Sequence, residues 1–143
     1  MYVDAQTRYS NAQAVTAAAA SDNLIDHQAI RDLGTGQDIY VVVLCTVAMT
    51  DGSSDSTLAV TLETDDDSAF GSATTGQTIG TFAAVSPAGT VLVAKLQPGG
   101  LNERYSRLKY TPANGNLTTG SFTAFLTTDI NKWVAYAKGY TIS

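Results

Sequence analysis

The sequence predicts an all-β fold, a sandwich, jelly roll or small barrel, and three features predict it. Residues 57–64 alternate strictly, with Leu58, Val60 and Leu62 on one face and Thr57, Thr61 and Glu63 on the other. That period of two belongs to a half-buried strand. Residues 39–47 are almost wholly apolar and rich in β-branched side chains, which suits a central strand. Short candidate strands recur at regular spacing between Gly, Pro, Asn and Asp. Nothing helical alternates with them, so an α/β fold is not expected.

Taken in order, residues 1–20 read as an extended N-terminal arm, and residues 21–143 as a single β-sandwich domain. The Ala-rich part of the arm lacks a capped, periodic apolar face. Residues 22–27 read as a first strand and 32–36 as a turn. The 39–47 strand follows, then a polar loop at 50–55, then the 57–64 strand, expected to pair with 39–47 as an antiparallel neighbour. Asp65-Asp66-Asp67-Ser68 reads as a turn with Phe70 as an apolar anchor beyond it. A weaker strand is expected at 77–83 around Ile79 and Phe82, and another at 90–96 after the Pro87 turn. Residues 104–111 alternate again, with Tyr105, Arg107 and Lys109 opposite Ser106, Leu108 and Tyr110. The last two are 121–128, with Phe122, Ala124 and Leu126 opposite Phe125, and the aromatic stretch 133–142. That makes about eight strands.

Bulk properties narrow the function classes. The chain has 143 residues, long enough for a real core, with 44% hydrophobic and 15% charged residues. A net charge of −5 is repelled by phosphate backbones, so nucleic acid is not an expected partner. No apolar run approaches a membrane span, and no membrane partner is expected. Met1-Tyr2-Val3-Asp4 lacks the basic-then-apolar pattern of a secretory signal. Cys45 is the single cysteine and reads as a small core residue.

Reactive constellations are sparse. Asp65-Asp66-Asp67 lacks the alternating ligands, glycine and distal glutamate of a calcium loop, so a solvated turn is the better reading. His27 is the single histidine and no nucleophile elbow accompanies it. Glu63 and Glu103, the two glutamates, read as surface charge. No cofactor, metal site or enzymatic activity is expected. Tyr105, Arg107 and Lys109 form an amphipathic strand face of the kind enriched at protein interfaces, weighed evenly against an ordinary solvated face.

Five segments, in one order along the chain, resemble the small capsid cement, or decoration, proteins of tailed bacteriophages. They are Asn11-Ala12-Gln13-Ala14-Val15-Thr16, Leu62-Glu63-Thr64-Asp65-Asp66, Glu103-Arg104-Tyr105-Ser106-Arg107-Leu108-Lys109-Tyr110, Thr123-Ala124-Phe125-Leu126-Thr127-Thr128-Asp129-Ile130 and Ala135-Tyr136-Ala137-Lys138-Gly139-Tyr140. The resemblance implies a jelly-roll-type sandwich that forms a homotrimer. It implies a place on the outer capsid surface of the virion, at threefold and quasi-threefold positions, bridging major capsid proteins after synthesis in the host bacterial cytoplasm. It brings no catalytic motif. On that reading, contacts are expected from Tyr2, Arg8 and Tyr9 of the arm and from Arg104, Tyr105, Arg107 and Lys109. The competing reading is a carbohydrate- or receptor-binding sandwich of a phage fibre. A small hydrolase would need a converging acid, base or nucleophile set that the sequence does not offer.

Overall fold

A computed structural model of the chain describes residues 3–29 and 36–130. A 3₁₀ turn at Ala5–Thr7, capped by the Asp4 carboxylate, precedes nine strands among the described residues. They are β1 (Arg8–Ala14), β2 (Ala19–Ala20), β3 (Ile25–Asp26), β4 (Tyr40–Thr50), β5 (Thr57–Asp65), β6 (Thr74–Phe82), β7 (Val91–Lys95), β8 (Tyr105–Ala113) and β9 (Thr119–Thr127). One sheet runs β1-β9-β4-β7; the other runs β2-β8-β5-β6, with β3 also on β8. All pairings are antiparallel.

The pairings nest. β1 meets β9, β2 and β3 meet β8, β4 meets β7, and β5 meets β6. With β2 and β3 counted as one interrupted strand, this is an eight-stranded hairpin rolled into a jelly roll. The interruption is local. Ala19 and Ala20 align with Tyr110 and Lys109, and Ile25 and Asp26 with Ser106 and Tyr105.

The core lies between the sheets. Val41, Val43, Cys45 and Met49 of β4 meet Leu58, Val60 and Leu62 of β5, with Leu108, Tyr110, Phe82, Phe122 and Ala124 completing it. The alternation expected over 57–64 and 104–111 is therefore what the fold uses. Cys45 is buried, and burial raises its thiol pKa.

Two expectations are corrected. β4 and β5 are not neighbours in one sheet but face each other across the core. β4 has β7 and β9 on its two edges, and β5 has β6 and β8. No hydrogen-bonding edge is left for the pair, and the intervening loop crosses between sheets. Residues 8–20, read as an arm, supply β1 and β2, one to each sheet. Tyr9, Ser10 and Val15 are fully or nearly fully buried. Of the strand expected at 22–27, only Ile25–Asp26 pairs. The turn at 32–36, but for Gly36, and the aromatic stretch 133–142 lie outside the described residues.

Candidate binding face

The four candidates on β8 and just before it are brought together on the outer face of the β2-β8-β5-β6 sheet. Register sets their partners: Tyr105 lies opposite Asp65, Arg107 opposite Glu63, and Lys109 opposite Thr61. Alternation sends Ser106, Leu108 and Tyr110 into the core and leaves Tyr105, Arg107 and Lys109 half-buried outside.

Arg107 is locked. Its Nε donates to Glu63 Oε2 at 2.9 Å, and its guanidinium lies 4.2 Å from the Phe70 ring centroid. Phe70 is 8% exposed and sits at φ +54°. That left-handed backbone costs an aromatic residue about 1–2 kcal/mol, offset by ring burial and the cation above it. The turn beneath is built by carboxylates. Asp65 accepts from the N–H groups of Asp67 (3.0 Å) and Ser72 (2.8 Å), and Asp67 accepts from Ala69 N–H (3.1 Å). These bonds, led by that from Asp67, hold the Asp65 pKa down, while the Asp65 side chain raises that of Asp66. The acidic triplet thus shapes a loop that presents Phe70 to Arg107.

Arg104 forms a second clasp. Its Nε and Nη2 donate to Asp26 Oδ1 and Oδ2, both at 2.9 Å, and the guanidinium stands 4.9 Å from the Tyr105 ring centroid. The fork fixes both side chains in one plane. Beside it lies an open groove of about 480 Å³ lined by Ala5, Gln6, Asn23, Leu24, Ile25, Asp26 and Gln28. This groove was not legible in the sequence, because the 3₁₀ turn and the β3 segment that line it meet only in the folded chain.

The clasp yields a pH prediction. The Arg104 guanidinium, with Gln28 N–H second, brings the Asp26 pKa down to about 2. A depressed carboxyl pKa stabilises the fold fully above the ordinary aspartate value of about 3.9 and loses that effect as pH falls through the folded value. The clasp is therefore expected to hold above about pH 4 and open toward about pH 2. A side-chain carboxyl chemical-shift titration checks this: Asp26 should return toward the ordinary value in Arg104→Ala. An ordinary midpoint in the wild type would rule the clasp out.

The arm candidates fall elsewhere. Tyr9 is fully buried, so it is removed from the surface set. Its hydroxyl lies 2.8 Å from Ser106 Oγ, and burial raises its pKa well above the usual tyrosine value. Arg8 sits on edge strand β1 of the other sheet, aligned with Phe125. Its buried Nε has no hydrogen-bond partner among the described residues. Tyr2 lies outside the described residues.

Two polar clusters reaching into the core were not legible in the sequence. His27 Nε2 lies 2.8 Å from Ser106 Oγ, which also meets the Tyr9 hydroxyl. Ser10 Oγ donates to Gln13 Oε1 and lies 2.8 Å from the Tyr110 hydroxyl, whose pKa burial pushes up to about 12. Ser106 is fully buried. A nucleophile needs open approach as well as a base, so Ser106 and His27 form an interior hydrogen-bond relay. Among the described residues, no cluster of three His, Cys, Asp or Glu side chains is placed to hold a metal, and no helix is long and apolar enough to cross a membrane.

The arrangement is a stiff surface of paired cations and aromatic rings on a strand whose other face is core. The Bbp16 family model matches residues 9–126. No curated protein matches the chain. The matched span opens at Tyr9 on β1 and closes at Leu126 on β9, taking in both sheets and the whole β8 face. The chain is a member of the Bbp16 family.

Proposed function

We propose that this chain is a structural cement, or decoration, protein of a tailed bacteriophage capsid. It binds the outer shell as a trimer at threefold and quasi-threefold positions and bridges neighbouring major capsid proteins. The observation that carries the reading is the β8 face, where Arg104 and Arg107 are each held by a carboxylate and an aromatic ring. Side chains fixed before docking lose little entropy on binding, which suits a flat protein partner. The jelly roll agrees with what the resemblance to cement proteins implies.

Cementing needs modest contacts repeated by symmetry. A ring of three subunits is a closed assembly, and its attachment is multivalent. Preferential binding to assembled shells stabilises them by mass action.

The test mixes purified protein with shells lacking it and measures co-sedimentation and shell melting. Saturable binding with a raised melting temperature is expected. Tyr105→Ala and Lys109→Glu alter half-exposed positions without touching the core. If each contact is worth about 1 kcal/mol and is lost three times, shell affinity falls roughly a hundredfold. Undiminished occupancy in both variants would move the contact off β8. Glycan binding without shell binding would replace the proposal with the fibre-module reading.

A further inference from the structure

A β-sandwich has two seams, where the edge strand of one sheet runs beside the edge strand of the other. Each edge carries backbone N–H and C=O groups that can pair with a strand from another chain. Among the described residues the sheets end at β1 and β7 and at β2 and β6. One glutamine stands in each seam. Gln13 of β1 donates from Nε2 to the Ala20 carbonyl at 2.8 Å and accepts at Oε1 from the Asp22 N–H at 2.9 Å. Gln77 of β6 donates from Nε2 to the Lys95 carbonyl at 2.7 Å and accepts at Oε1 from the Gln97 N–H at 2.9 Å. The two sets are alike: a carbonyl, then the N–H two positions later. In an extended chain those groups point to one side, the side a neighbouring strand would engage. Here it is the free side. The Ser21 N–H turns to the Leu108 carbonyl of β8 and the Leu96 N–H to the Ile39 carbonyl beside β4, so the residues flanking each of them face away from the sheet.

We infer that Gln13 and Gln77 are seam latches, which keep a second copy of this chain from adding a strand at the Ala20–Asp22 and Lys95–Gln97 edges. A primary amide carries the same kinds of donor and acceptor as a peptide group. It therefore takes up the pairing an incoming strand would use, without extending the sheet. The surroundings hold each amide in place. Ser10 Oγ donates to Gln13 Oε1 at 2.8 Å, and the Asn23 N–H meets the Tyr9 carbonyl at 2.9 Å further along the same seam. The Gln77 seam closes tightly because Gly76 and Gly100 lack side chains. A Cβ on Gly76 would collide with the Gly100 carbonyl, and one on Gly100 would stand 3.1 Å from Gln77 Oε1.

Amide hydrogen exchange on the full chain, with sedimentation velocity beside it, tests the inference. Asp22 and Gln97 are exposed residues outside the strands, so protection of their N–H groups reports on the latches. Gln77→Met keeps the side-chain length and removes both donor and acceptor. It is expected to speed exchange at Gln97 about tenfold, the effect of roughly one net hydrogen bond, and to leave Asp22 unchanged. Gln13→Met should do the reverse. The untouched seam in each variant shows that the fold stands. With both seams unlatched, the double variant is expected to form larger species as its concentration rises, over a range where the wild-type distribution stays constant. Exchange unchanged at the paired N–H, or accelerated at both seams by one substitution, would overturn the latches. Local acceleration without added association in the double variant would overturn their protective role. Neither readout involves shell binding.

Discussion

Replacing Phe122 by alanine is expected to destabilise the protein by about 3–5 kcal/mol, the range for removing a buried aromatic side chain. Phe122 is fully buried on β9. Its ring centroid is 5.1 Å from that of Phe82 on β6 and 5.8 Å from that of Tyr110 on β8. One side chain of the first sheet therefore joins two strands of the second. Alanine removes both ring contacts and leaves a void between the sheets. Total stability of a domain is about 5–15 kcal/mol, so the loss is a large fraction of it. Urea unfolding should show a much lower midpoint with an unchanged slope. A loss below about 1 kcal/mol would mean that the sheets collapse around the site, contrary to close packing.

Arg107→Glu is expected to cost about 2–3 kcal/mol and to abolish shell binding. Surface ion pairs are worth about 0.2–1 kcal/mol, and breaking a buried one costs about 3–5 kcal/mol. The Arg107 and Glu63 side chains are 23% and 17% exposed, which places the pair between these limits after screening. The substitution sets two carboxylates opposite each other across β5 and β8, which is unfavourable in a sheet. It also removes the cation over Phe70, whose left-handed backbone depends on that packing. Its effect on docking is thus partly an effect on the fold. Adding Glu63→Arg separates the two: restored stability with shell binding still lost would place Arg107 in the contact itself. Failure of the swap to restore stability would show that the pair is not what holds β8 to β5.

Much of the candidate site was legible because it sits on one strand. Tyr105, Arg107 and Lys109 share a face by period alone. Their carboxylate and aromatic partners were not legible. Glu63 and Phe70 reach Arg107 from another strand and its following loop, and Asp26 reaches Arg104 from the far end of the chain. Tyr9 was misplaced for the same reason. Nothing near it in sequence shows that its hydroxyl meets Ser106, or that Ser10 meets Tyr110.

By itself the sequence determined the all-β class, the positions of most strands, and which side chains of 57–64 and 104–111 face inward. These follow from alternation, which is a property of neighbouring residues. Only the tertiary structure decided that β4 and β5 oppose each other across the core, that residues 8–20 belong to both sheets, and that Glu63 lies opposite Arg107. Edge pairing and register depend on backbone hydrogen bonds between distant segments. Every backbone edge offers the same donors and acceptors, so the choice among them is made by how the whole core packs.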